Sequence, residues 1–320
     1  NPSQADNSVT TSRTAAPSQL WPRALTLGAV FVVLLGAHQV AELLGNKWLL
    51  EELGYASVFW TNFNAGATMF VVFAALFGAA AYIPLRWIGG ASVTSWAGPL
   101  AISVALLAGM DAAGEYPVML LSNTDSSFNQ VDPVFKTDLS FFVFELPWYW
   151  VVWNYFMLAV GVWLVASIAA ASMFRSGPVS SLMDRLGALM TSPMRIGLVA
   201  VLLLGALGMW LSRYGLLLKD NSSSSVHVGA SYVDINGLLS TLNYIHLSTL
   251  LLVIAAFGVW RLSGALNASD TAGARSGVTL LAVLLLADFA FKGAVSLRAQ
   301  LFVEPNEPVV QLESIQNHIS

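Results

Sequence analysis

Residues 276–297 read SGVTLLAVLLLADFAFKGAVSL, and the only charged side chains in this stretch are Asp288 and Lys292. A helix needs roughly 20 apolar residues to cross the hydrocarbon of a bilayer. This stretch is long enough and has no turn signal. Asp288 and Lys292 stand four residues apart, so on a helix they share a face. Neither rests alone in hydrocarbon at low cost. The expectation is therefore a spanning helix with both charges turned into a bundle and paired with each other.

Working back from that stretch, similar runs recur near 24–44, 61–83, 96–113, 148–173, 195–217 and 243–264. With 276–297 they make seven. The third is the weakest, because Asp111 and Glu115 crowd its end. The composition agrees with this reading. Of 320 residues, 56% are hydrophobic and 10% are charged, against about 25% charged in a soluble domain. Mean hydropathy is +0.68. The fold class expected is all-α, a polytopic transmembrane helical bundle of about seven spans.

Several chemistries are excluded or unsupported. There are no cysteines, which removes disulfides, thiolate nucleophiles and cysteine-ligated metals. A net charge of −4 gives no basic footprint for nucleic acid. No Gly-x-Ser-x-Gly elbow and no phosphate-binding glycine loop is present. The run Ser222–Ser225 reads as a linker. Asn123, Asp125, Ser127 and Asn129 mimic alternating calcium ligands, but Phe128 stands where the turn glycine belongs and Val134 where the closing acid belongs.

Orientation follows from lysine and arginine. One side holds Arg13, Arg23, Arg86, Arg175, Arg185, Arg195, Arg261 and Arg275; the other holds Lys47, Lys136, Arg213, Lys219 and Arg298. The arginine-rich side is expected in the cytoplasm of a bacterial inner membrane. Residues 1–20 read as a disordered cytoplasmic tail, 21–300 as the transmembrane domain, and 301–320 as an extracytoplasmic segment. The outer loop 114–147 is long. The inner loop 174–194 carries Leu182, Met183, Leu186, Leu189 and Met190 at helical spacing, and is expected to lie on the anionic inner leaflet or to pack on the bundle. Trp60, Trp148, Tyr149, Trp150 and Trp153 read as interfacial anchors. Small residues at four-residue spacing, Ala74 with Gly78 and Ala166 with Ala170, point to close helix packing.

Intramembrane ionisable groups are the candidate site. His38 and Glu42 lie one turn apart, as do Asp288 and Lys292, and together they would form a polar or ion relay. His38 or His246 would be a pigment or haem ligand. Asp132, Asp138 and Glu145 would make an outer cation site. No dedicated metal site and no cofactor is expected beyond bound lipid. The partners expected are membrane lipids and other membrane protein subunits.

Three outer segments carry a resemblance. They are Asp132-Pro133-Val134-Phe135 with Asp138-Leu139-Ser140-Phe141-Phe142-Val143-Phe144 and Leu146-Pro147, then Gly229-Ala230-Ser231-Tyr232-Val233-Asp234, then Val303-Glu304-Pro305-Asn306-Glu307. Gly54-Tyr55 and Val58-Phe59-Trp60-Thr61 fit as well. From about residue 48 onward the chain resembles the bacterial membrane proteins of uncharacterised protein family 0182. The resemblance implies seven spans followed by a long extracytoplasmic domain, which is expected to begin near Glu307. It implies no catalytic residues. The leading functional expectation is a non-catalytic scaffold or accessory subunit of a larger bioenergetic or envelope complex. A transporter or channel using the intramembrane charges is the alternative, and a membrane enzyme comes third.

The cysteine-free background gives a direct topology test. Single cysteines at Ser180 and Ser224 are expected to behave oppositely toward an impermeant thiol reagent in intact cells, with only Ser224→Cys labelled. Labelling of Ser180→Cys would reverse the orientation.

Overall fold

A computed structural model describes residues 41–124, 126–174, 190–219, 229–267, 270–303 and 305. Most of the first expected span (24–44), the tail 1–20, most of the inner loop 174–194 and most of 301–320 lie outside the described residues, as do Asp125, His38 and His227. The chain divides into two compact units, Asn1–Phe63 and Asn64–Ser320.

In the first unit, α1 (41–52) carries a Lys47–Glu51 ion pair at 3.5 Å, one helical turn apart. It stops at Gly54, whose φ of +79° suits a residue without a Cβ. The chain then enters α2 (Ala56–Gly89), where Phe59, Trp60 and Phe63 form an aromatic run.

Among the described residues the regular structure of the second unit is helical, apart from one isolated bridge between Val131 and Asp138. After α2 and a short 3-10 turn come α3 (Thr94–Ala113), α4 (Tyr116–Ser122), a π turn (Phe141–Glu145), α5 (Leu146–Phe174), α6 (Ser192–Gly215), α7 (Tyr232–Ile235), α8 (Thr241–Asn267), α9 (Thr271–Arg298) and a closing π turn (Ala299–Val303). Among the described residues, six helical segments are long and apolar enough to cross a membrane. They correspond to six of the seven expected spans.

Local signals set the helix starts. Thr191 accepts a hydrogen bond from the Met194 amide and Pro193 fills the first turn of α6, where a missing N–H costs nothing. Asp270 accepts from Ala272 and Gly273 at the start of α9. Hydroxyls within the helices turn back onto their own chain: Thr68 donates to Asn64, Ser167 to Trp163 and Thr249 to Ile245. Each removes an unsatisfied polar group from the apolar surroundings.

Packing follows the small and aromatic residues. Met69, Phe73, Phe77 and Ala80 of α2 bury with Ala112 of α3 and with Tyr155 and Ala159 of α5. A second cluster joins Leu85, Val93 and Ala97 to Ala166 and Ala170. The Ala166–Ala170 pair is thus a true contact face. Further along, α5 packs on α6, α6 on α8 and α8 on α9. At the α5–α6 crossing the Trp153 indole N–H donates to the Leu204 carbonyl at 2.7 Å, and that of Trp163 donates to Pro193 at 2.7 Å.

Trp153, read from the sequence as an interfacial anchor, is held within the helix packing. Its polar edge meets a backbone carbonyl of the next helix. Gly208 makes the approach feasible: a Cβ there would sit 2.7 Å from the Trp153 ring. Replacing Gly208 with Ala is expected to destabilise the protein in detergent by about 1–3 kcal/mol through overpacking, read from the thermal midpoint. An unchanged midpoint would mean that Trp153 moves aside freely.

Candidate functional site: a hydrogen-bonded cap and a membrane carboxylate

The first two sequence motifs and the start of the third, Val303, lie at one end of α6, α8 and α9. In the first, Asp132 is 5% exposed, and one of its carboxylate oxygens accepts from the Phe135 amide. This closes the Asp-Pro turn. Asp138 accepts from the Ser127 hydroxyl at 2.7 Å and from the amides of Ser140 (2.8 Å) and Phe128 (3.1 Å). Lys136, between them, has a φ of +56°. Phe135 and Phe141 then stack around Tyr214 at 5.0 and 4.9 Å. Arg213 covers the rings of Trp210 and Tyr214 and donates to the Tyr214 hydroxyl at 2.6 Å.

The second motif is a one-turn helix with a complete capping box: Asp234 accepts from the amide and hydroxyl of Ser231. Asp234 is 2% exposed and meets Lys219 at 3.6 Å. Leu216, Ala230 and Ile245 bury beneath it. The third motif begins at Val303, one π turn (Ala299–Val303) beyond Arg298. That guanidinium donates to the carbonyls of Asn236 at 2.6 Å and Leu239 at 2.8 Å. Gly237, with φ of +81°, lies so close that a Cβ would come within 3.0 Å of it. Val303 is buried, and its turn packs on α7. Arg298 thus ties the end of α9 to the loop before α8, and the Val303 turn links the start of the third motif to the second.

This arrangement leaves little for a cation. Asp132 and Asp138 turn their oxygens onto backbone amides, and Glu145 accepts from Tyr149 at 3.3 Å. Among the described residues no three His, Asp or Glu side chains gather as metal ligands. The Ser127 hydroxyl, followed by the Ser140 amide, holds the Asp138 carboxyl well below the ordinary carboxylate range.

Within the membrane the structure corrects one expectation. Asp288 does not pair with Lys292. Its carboxylate accepts from the hydroxyls of Ser248 and, at 3.3 Å, Tyr244, both on α8. Those two residues sit one helical turn apart and together grip one carboxylate. Lys292 is exposed, and its long stem lets the ammonium reach the outer boundary. Tyr244 also stacks on Phe291. His246 falls between the two hydroxyls in sequence and so points away from Asp288; it is exposed. Glu42 lies on α1 of the other unit. A second polar link was not expected from sequence: the Tyr155 hydroxyl donates to Asp111 at 2.7 Å, tying α5 to α3. The signal was present as one phenol inside an apolar span and one acid at the end of another, but helix pairing was needed to join them.

Residues 23–320 match the family described as Uncharacterised protein family (UPF0182). The chain belongs to this family. A UPF0182 protein of Mycolicibacterium vanbaalenii is 29% identical over 93% of the chain and 31% of its own length. A UPF0182 protein of Streptomyces coelicolor is 27% identical over 68% of the chain and 21% of its length, and one of Bradyrhizobium diazoefficiens is 29% identical over 98% of the chain and 36% of its length. The chain therefore spans roughly a third or less of these bacterial UPF0182 relatives. No solved structure matches it.

Two predictions follow for the UPF0182 cap and its membrane carboxylate. Because the Asp138 pKa is lowered by folding, its contribution is present above the unfolded value of about 3.9 and is lost as pH falls through the folded value. Hydrogen exchange of 126–140 is expected to accelerate on acidification below that range in wild type, and to be fast already at neutral pH in Asp138→Asn. Equal protection in both at neutral pH would remove the role. In a double-mutant cycle, Asp288→Asn and Ser248→Ala are expected to couple by more than about 0.5 kcal/mol. Asp288→Asn and Lys292→Met are expected to add within that margin. Strong coupling of the second pair would restore the ion pair.

Proposed function

We propose that this chain is a non-catalytic membrane scaffold, the membrane-embedded base on which a larger assembly is built. The observation that carries the reading is the outer cap. Asp132, Asp138, Asp234 and Arg298 all face internal partners, so the cap's charged groups hold shape rather than present chemistry. A surface fixed in this way suits the positioning of whatever follows it. In relatives about three times as long, that would be the extracytoplasmic part.

A second feature supports partners within the membrane. The spanning segment Thr271–Val303 is the least covered of the six, with 6% of its apolar window buried. Its main helical neighbour is α8. Leu285, Leu286 and Phe289 stand on its open face at 68–77% exposure. We place the chain in the bacterial inner membrane with the cap outside, on the arginine asymmetry of its loops. A transport reading would need the intramembrane charges to line a common path. The grip of two hydroxyls on Asp288 favours a fixed structural carboxylate.

The test is purification of a full-length relative in mild detergent, with identification of co-purifying chains. The scaffold reading expects a stoichiometric membrane partner that is lost when Leu286 and Phe289 are replaced with Ala, while the monomer stays folded. Recovery of a monodisperse single chain that catalyses proton or ion flux in vesicles, abolished by Asp288→Asn, would replace it with transport.

A further inference from the structure

At the end of α6, α8 and α9 opposite the cap lies a polar cavity of about 330 Å³. It is lined by Arg195, Trp260, Arg261, Asp270, Gly273 and Ser276, among others. Arg195 and Arg213 stand eighteen residues apart on α6, so about 27 Å of helix separates cavity from cap. That is close to the thickness of the hydrocarbon. The cavity thus opens at the far membrane boundary, where lipid headgroups lie.

Its charge is not balanced from within. The Arg195 guanidinium lies over the Trp260 ring at 4.1 Å. Its Nε is buried and has no hydrogen-bond partner. Among the described residues no carboxylate lies within ion-pair distance of Arg195 or Arg261. Arg195 also sits in the first turn of α6, where the helix dipole disfavours a cation. Asp270 is the cavity's acid, and it is already committed: one oxygen accepts from both Ala272 and Gly273 at the start of α9. Its charge is largely answered by that helix end, so the two arginines are left over.

A stacked guanidinium with an unmet buried donor asks for an oxygen acceptor. Leaving such a donor unmet costs about 1–3 kcal/mol, and a planar Arg edge is best met by an oxyanion taking two parallel N–H bonds. The stack on Trp260 fixes the plane of that edge in advance. The cavity holds more than one phosphate group, which leaves room for the first carbons of an ester. We infer that Arg195 and Arg261, framed by Trp260, form a binding site for a phosphate-bearing anion, either the headgroup of an anionic phospholipid or a soluble phosphate.

The two sources are separated by reconstitution of the full chain. Wild type, Arg195→Gln, Arg195→Lys, Arg261→Gln and the control Arg86→Gln are placed in bilayers of phosphatidylcholine with a minor share of phosphatidylglycerol. They are then released into detergent, and retained lipid is counted by native mass spectrometry. Phosphatidylglycerol is expected on wild type and Arg86→Gln, reduced about tenfold on Arg195→Gln, and intermediate on Arg195→Lys, which keeps the charge but loses the planar edge. If Arg195→Gln does not fold, Arg261→Gln carries the same comparison. In a second arm, inorganic phosphate is added to wild type in phosphatidylcholine alone, and the thermal midpoint is followed. A rise in the midpoint that Arg195→Gln abolishes assigns the site to a soluble phosphate and overturns the lipid. Equal lipid retention by wild type and Arg195→Gln, with no effect of phosphate, overturns the site. Equal loss in Arg86→Gln also overturns it, because diffuse charge would then explain the binding.

Discussion

In hydrocarbon there is no water to take up a polar group, so each one carried into the membrane needs a partner inside the protein. The long-range bonds of this chain are arranged around that constraint. Trp153 and Trp163 on α5 each direct an indole N–H at a carbonyl of the next helix or its first turn. Tyr155 on the same helix meets Asp111 of α3. One helix thereby ties two neighbours by polar contacts, while Ala159, Ala166 and Ala170 let the backbones approach. Asp288 obeys the same constraint at the α8–α9 contact, through two hydroxyls one turn apart.

Outside the hydrocarbon the constraint changes. There the loops could be solvated, yet the cap still satisfies its acids internally. Asp132, Asp138 and Asp234 each accept from a backbone amide within a few residues. Such short-range bonds hold a loop's conformation without a large core beneath it. Arg298 closes the longest interval, reaching back some sixty residues to the carbonyls of Asn236 and Leu239. The end of the last helix is thereby locked to the loop before α8.

Six of the spans were legible because length and apolarity alone determine them. The Asp-Pro turn was legible too, since a proline and a capping acid act locally. What escaped the sequence depended on which helix neighbours which. The Asp288–Lys292 pair was inferred from spacing on one helix, but a carboxylate facing α8 finds Ser248 and Tyr244 first. Lys292, nearer the boundary, needs no partner once its stem can reach headgroups. The contact of Trp153 depended on helix pairing in the same way: its indole N–H meets the Leu204 carbonyl of α6, which spacing along α5 alone does not reveal. The spacing of Asp132, Asp138 and Glu145 likewise does not reveal that the first two accept hydrogen bonds from backbone amides.

The distribution of satisfied and unsatisfied charge separates the two ends of the molecule. At the cap, Asp132, Asp138, Asp234 and Arg298 have partners close at hand, and exposure there is low for Asp132 and Asp234. Arg195 at the opposite end and Arg213 at the cap each keep a buried Nε without a hydrogen-bond partner. Arg213 donates elsewhere to the Tyr214 hydroxyl, whereas Arg195 lines a cavity together with a second arginine, Arg261. The cap has a fixed shape and suits attachment of further protein. The opposite end has a surplus of positive charge in a cavity, beside headgroups, and suits a small anion. Between them, the exposed face of α9 contributes apolar surface and little else. Shape at one boundary, charge at the other and apolar surface between them are the features on which the proposed scaffold role rests.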